Sequence, residues 1–217
     1  TWFLNKMPEG CGLFLGLTGA SVNCADAKYS GLADFIVNSE SKSSILDAML
    51  EVNWGDTIAL NHEKLSQLLL SNQLQGNALP ESKLKIYQDD ITAMTNKPAI
   101  DEVVSAILAF DSDDKWIARA QASLIHGSAI SAHLVYEQLR KGKELNLAAC
   151  FQMELGMAVK CGQFGEFREG VRALLIDKDN SPNWRFKDVN SAEQETIDWF
   201  FESVWEESNH PLANMDS

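Results

Sequence analysis

The sequence predicts a mainly α-helical chain with one short strand near its start. Three observations carry this. From residue 43 onward, apolar residues recur at helical spacing in one segment after another. Ser, Asn and Asp stand where those segments begin, often with acidic residues in the following turn. Residues 32–37, LADFIV, form a brief extended-type run between Gly31 and Asn38, and they are the one convincing strand.

Residues 11–18 are short and apolar, with Gly19 as a stop. Asn23 can cap a second helix that starts at Cys24, has Asp26 in its first turn and ends at Gly31. Residues 43–52 and 56–70 follow as helices. Residues 75–82, QGNALPES, are polar and turn-rich and read as an exposed linker. Val103, Val104, Ile107 and Leu108 make one helical face, and Ser112 is the expected cap of the next helix, which carries Trp116, Ile117, Ala120 and Leu124. Further helices are predicted over 128–141, after the Asn146 cap, and over 166–177. Ser191 with Gln194 three residues on reads as a capping box before Ile197, Trp199 and Phe200. The resulting division is 1–52, 53–100 (helical insert and linker) and 101–217 (helical C-terminal domain).

A strand at 32–37 needs neighbours, because one strand cannot make a sheet. Together with a start at Thr1-Trp2-Phe3-Leu4, which reads as chain interior, this predicts a portion upstream. The 217 residues carry a formal net charge of −13, which repels phosphate backbones and makes nucleic acid an unsuitable partner. No apolar run reaches the length of a membrane span. Cys11, Cys24, Cys150 and Cys161 form no CxxC pair and are expected as reduced core residues in a cytosol-like compartment. His62, His126, His133 and His210 make no HExxH, so no metal site is assigned.

Two segments carry a family resemblance. Leu17-Thr18-Gly19, Ala25-Asp26-Ala27 and Gly31-Leu32-Ala33 resemble the LTG, AxA and GL pattern of the crotonase (enoyl-CoA hydratase/isomerase) superfamily. The stretch Glu169-Gly-Val-Arg-Ala-Leu-Leu-Ile-Asp-Lys-Asp179 with Pro182-x-Trp184 is more specific, and it resembles the 3-hydroxyisobutyryl-CoA hydrolase branch. Gln138-Leu139-Arg140, Met153-Glu154 and His210-Pro211-Leu212 are similar to the same branch, whereas residues 53–100 match it weakly.

The resemblance implies the C-terminal part of an α/β crotonase (ClpP/crotonase-like) fold followed by a helical domain. It implies an acyl-CoA thioester hydrolase of valine breakdown, using no metal or redox cofactor, in the bacterial cytoplasm or the mitochondrial matrix. An enoyl-CoA hydratase or isomerase of the same fold and a non-catalytic helical interaction module stay open, as does a homo-oligomer. In this branch the catalytic Glu and Asp precede the piece that Trp2-Phe3-Leu4-Asn5-Lys6 matches. The catalytic carboxylates and the oxyanion hole are therefore expected upstream, and no catalytic residue is assigned here. Met7-Pro8-Glu9-Gly10 looks like a catalytic motif, but its place in the order makes it a turn before a buried helix.

Arg172 and Lys178 are the residues that the resemblance carries over as contacts to CoA. On spacing alone Arg172 is equally an ion-pair partner of Glu169, and Lys178 a solvated lysine. Glu154 could pair with Arg172. His126 and His133 could share a helix face, although core or surface roles suit them better. Trp199, Phe200, Phe201 and Trp205 are either core or a surface for the N-terminal half or another subunit.

Overall fold

The computed structural model describes residues 1–74, 76 and 79–215. In chain order the helices are α1 (Cys11–Thr18), α2 (Cys24–Tyr29), α3 (Lys42–Glu51), α4 (Ile58–Ser71), α5 (Lys83–Ile86), α6 (Gln88–Thr95), α7 (Ile100–Ala109), α8 (Lys115–His126), α9 (Ala129–Lys141), α10 (Leu147–Phe164), α11 (Glu166–Val171) and α12 (Gln194–Phe201). Among the described residues none is long and apolar enough to cross a membrane. Contacts group the chain into two compact units, Thr1–Ala20 with Gln88–Ser217, and Ser21–Tyr87. Their edges differ from the divisions at 52 and 100 read from the sequence.

In the larger unit the Pro-Glu-Gly turn sets up α1. Cys11 N–H donates to Pro8 O at 3.0 Å, and Gly10 has φ of 77°. A Cβ on Gly10 would lie 2.2 Å from Thr95 Oγ1, so both the backbone angle and the space require glycine. Helix α1 then buries Cys11 and Phe14 against α6, α8 and α9. The second half of the unit is centred on Ile130, Leu134, Met157, Ile197 and Phe200, where α9, α10 and α12 meet. Ser128 caps α9 and Asn146 caps α10, each accepting a backbone N–H three residues on.

The smaller unit, Ser21–Tyr87, is organised by one buried carboxylate. Asp26 completes a capping box with Asn23 and also accepts from Ser82 Oγ at 2.8 Å and Leu84 N–H at 2.9 Å. Leu84, Ile36 and Ile45 are its buried apolar residues, and α3 packs on α4, none of whose side chains is buried.

Several expectations are corrected. The strand over 32–37 does not form; among the described residues the extended pairing is a single antiparallel bridge between Val37 and Gln73. The N–H groups of Leu32 and Ala33 both turn back to Ala27 O, closing α2, which removes them from any ladder. The argument for a missing sheet therefore falls with the strand. Helix α8 is capped by Asp114, whose Oδ1 accepts Trp116 N–H at 2.8 Å, while Ser112 serves the Asp114 N–H. Thr57 rather than Asp56 opens α4. Ser191 does form a capping box, but as the third residue of a box led by Asp188 on a short 3-10 turn. Cys24, on the first turn of α2, is exposed rather than core, whereas Cys11 and Cys150 are buried and Cys161 half-buried; none is in a disulfide. Of the expected linker 75–82, residues 75, 77 and 78 lie outside the described residues.

Candidate functional site

The larger unit contains a cavity of about 770 Å³, within the usual range for small-molecule sites. Ile130 and Leu134 of α9, Phe164 of α10 and Phe200 of α12 form its apolar floor. Its rim comes from His126, Phe167, and the segment that follows α11. That segment is a π-helical turn, Arg172–Ile176, in which Ala173 points inward while Leu174, Leu175 and Ile176 are more than three-fifths exposed. Single-turn π segments recur at functional sites because they re-aim side chains.

Glu166 is the one carboxylate on this wall, and it is buried. It opens α11 directly after Gly165. Its Oε2 accepts from the Ser128 hydroxyl, and its Oε1 accepts Arg185 N–H at 2.8 Å. One side chain thus ties the starts of α9 and α11 to the chain at 185. The sequence reading did not single it out. The available signal was an acidic residue in the first turn after a glycine break. Cys161 also lines the cavity. Burial pushes its thiol pKa up and the Glu166 carboxylate adds to this.

Arg172 stands just behind the rim, and all five of its N–H donors are used inside the chain. Nε and Nη2 form a fork on Glu169 at 3.0 and 2.8 Å. Nη1 reaches Asp177 and Asp179, both at 2.7 Å, and Nη2 also reaches Ser181 O at 3.0 Å. The hydrogen bonds from Arg172, followed by that from Asn183 N–H, hold the Glu169 carboxyl at about 2, well below the usual carboxylate range. Asp179 is lowered by the same guanidinium and by Ser181 N–H. Lys178 is exposed, with φ of 57°, and among the described residues its ammonium makes no hydrogen bond or ion pair.

The structure separates the other expected pairs. Glu154 does not meet Arg172; its Oε1 accepts from the Thr1 amine at 2.5 Å. His126 ends α8 and lies exposed, and its carbonyl accepts from Trp184 Nε1 at 2.9 Å, whereas His133 of α9 bonds to Val189 O at 2.7 Å. Glu9 is exposed, and Gln88 and Thr92 hold its main-chain oxygen rather than its carboxylate. Of the aromatic cluster Phe200 is core, buried against Phe164 and Trp199 at centroid distances of 5.1 and 5.0 Å, with Trp199 and Phe201 half-buried around it, while Trp205 lies apart from that core against His210 at 4.8 Å. Among the described residues no group of three or more His, Cys, Asp or Glu side chains is arranged to hold a metal ion.

The family model for enoyl-CoA hydratase/isomerase matches residues 1–201. The chain belongs to the enoyl-CoA hydratase/isomerase family. Similar members include the mitochondrial 3-hydroxyisobutyryl-CoA hydrolase of Danio rerio, 31% identical over 94% of this chain and 52% of its own length. That of Homo sapiens is 28% identical over 94% and 51%, and 3-hydroxyisobutyryl-CoA hydrolase 1 of Arabidopsis thaliana is 26% identical over 98% and 56%. The chain spans about half the length of the curated relatives it matches. Among solved structures of the family's fold, an enoyl-CoA hydratase from Rhodobacter sphaeroides 2.4.1 is 26% identical with a TM-score of 0.73, covering 93% of this chain and 54% of that one. A carnitinyl-CoA dehydratase from Mycobacterium thermoresistibile, 22% identical with a TM-score of 0.77, shares the fold over 94% of this chain and 54% of its own.

Proposed function

We propose that this chain is the C-terminal part of an acyl-CoA thioester hydrolase that acts on 3-hydroxyisobutyryl-CoA. The observation that carries the reading is the series of 3-hydroxyisobutyryl-CoA hydrolases that match nearly the whole of this chain with about half of their own length. The reaction adds water across the thioester C–S bond and yields the free acid and CoA. It needs donors facing the carbonyl oxygen that gains charge and a carboxylate to manage the proton. In this reading both belong to a portion preceding Thr1, so the chain itself carries no catalytic residue. The chain contributes the helical unit with its apolar cavity, and the Lys178 ammonium beside the rim is the contact for a CoA phosphate. The partners are acyl-CoA and the preceding portion of the same polypeptide, which would cover the exposed Leu174–Leu175–Ile176 edge, and the compartment is the bacterial cytoplasm or the mitochondrial matrix.

A second reading, hydration of an enoyl-CoA, is favoured by the likeness to the Rhodobacter sphaeroides structure. Incubating a longer protein that includes the preceding portion with 3-hydroxyisobutyryl-CoA, and following free thiol with a thiol reagent, separates the two. Steady release of CoA is the expected result. Hydration of an enoyl-CoA with no release of CoA from the hydroxyacyl thioester would replace the hydrolase by the hydratase.

A further inference from the structure

Lys178 and Asn180, with φ of 57° and 52°, are the two non-glycine residues with positive φ among the described residues. Both lie in the loop that Arg172 holds. Left-handed backbone at residues with a Cβ is disfavoured, and it persists only where the surroundings over-determine it. Here the constraint is visible. Arg172 grips Asp177 and Asp179 on either side of Lys178, and takes Ser181 O beyond Asn180. Glu169, fixed by the same guanidinium, accepts Asn183 N–H at 2.7 Å, and Asn180 N–H returns to Ala173 O at 3.1 Å.

The loop so wound delivers Asn180, Pro182 and Trp184 to the cavity wall. Trp184 is seated against Gly170, where a Cβ would come within 3.2 Å of the ring, and its indole N–H reaches His126 O at the far side of the rim. The guanidinium itself has no donor left for a ligand.

We propose that Arg172 is a positioning residue that never touches the substrate: it locks the strained 177–183 loop so that Lys178 and the rim residues Asn180 and Trp184 are presented to a phosphorylated ligand with an apolar tail. This rests on the acyl-CoA reading for the identity of the ligand and changes the role of Arg172 from contact to support. A lysine cannot replace it, because one ammonium lacks the planar fork that spans three carboxylates.

Two measurements test this with Arg172→Ala, Arg172→Lys and Lys178→Ala. The first is hydrogen exchange on the 217-residue chain. Loosening confined to the loop gives amides of 177–184 that exchange about tenfold faster or more in both Arg172 variants, with α10 and α12 unchanged and with Lys178→Ala indistinguishable from the parent. Unchanged loop amides would overturn the clamp. General acceleration through α10 and α12 would also overturn it, since Arg172 would then be a stability residue of the whole unit.

The second is steady-state hydrolysis of 3-hydroxyisobutyryl-CoA by the longer protein. Arg172→Ala should raise KM about tenfold with kcat within about twofold, and should add nothing in a background where Lys178, Asn180 and Trp184 are all replaced by Ala. The same KM increase in that triple background would show that Arg172 acts on the ligand directly, which overturns positioning through the loop. A parent protein that releases no CoA removes the ligand reading and the kinetic part with it, while the exchange result still decides the clamp.

Discussion

Two apolar groups meet at one cavity, the first through Phe164 and Phe200 and the second through Phe167, Leu174 and Leu175, and they end in opposite places. Phe164, Phe186, Trp199 and Phe200 close over one another in the core, whereas Phe167, Leu174, Leu175 and Ile176 stand out in solvent. Hydrophobicity does not separate them; their polar neighbours do. The aromatic group is shut by Lys160, itself buried, which donates to Trp199 O near the end of α12 and lies 4.9 Å over the Trp199 ring. A cation there meets the negative end of the helix, on a carbonyl that also accepts Glu202 N–H. In the other group Phe167 stands on α11, and Leu174, Leu175 and Ile176 ride on the π turn, whose inward position is taken by the small Ala173 while Arg172 fixes the chain beyond it. One apolar set thus serves stability, and the other is presented.

The largest effect should come from the buried set. Phe200→Ala removes a side chain that is 1% exposed and leaves a void beside Phe164 and Trp199. Unfolding by urea should show a loss of about 3–5 kcal/mol with little change in slope. A loss below ~1 kcal/mol would mean that the aromatic group is not a tightly packed core.

Glu166 comes next. Glu166→Ala strands the Ser128 hydroxyl and Arg185 N–H together, which should cost about 1–3 kcal/mol in the same assay. Glu166→Gln keeps an acceptor for Arg185 N–H and should recover part of that loss. Equal losses in the two variants would indicate that the negative charge, rather than the pair of hydrogen bonds, does the holding.

Acid should act locally on the clamp. In the unfolded chain Glu169 takes up a proton near 4.5, while in the folded chain Arg172 and Asn183 N–H keep it charged down to about 2. Between those values the unfolded state binds more protons, so the Glu169 contribution is fully present above pH 4.5 and is lost as the pH falls toward 2. Arg168 adds to the depression, and Asp179, lowered by the same guanidinium, behaves alike. The Glu169 carboxyl resonance followed from pH 6 to 2 should hold its shift through pH 4 and titrate only near 2. A titration midpoint near 4.5 would show that the carboxylate is not held by the guanidinium.

Much of this was legible in the sequence. The α1 stop at Gly19 and the Asn23 and Asn146 caps follow from local chemistry, because each depends on residues within a few positions, whereas the turn reading of Glu9 came from the order of motifs in the resemblance. What failed depends on distant partners. A strand at 32–37 is a statement about neighbours, and the chain spent those N–H groups on closing α2. The Glu169–Arg172 pair was visible as an i, i+3 spacing, but the recruitment of Asp177, Asp179 and Ser181 O was not, since it requires the loop to fold back over a π turn that no periodicity announces. The resemblance offered Arg172 as a contact to CoA; the distances give it five hydrogen bonds to four residues within the chain.

The smallest effect should come from the exposed edge. Leu175→Ser replaces a side chain that is 62% exposed, so little apolar area returns to water when the chain unfolds. In the 217-residue chain its stability should stay within about 0.5 kcal/mol of the parent. In a longer protein that covers the π turn, the same substitution should cost about 1–2 kcal/mol or more, because the leucine would then be buried on folding. The contrast between the two measurements isolates the covering from the intrinsic behaviour of the helix. A loss of the larger size already in the short chain would mean that Leu175 packs inward there, and the distinction between a presented and a buried apolar set would collapse.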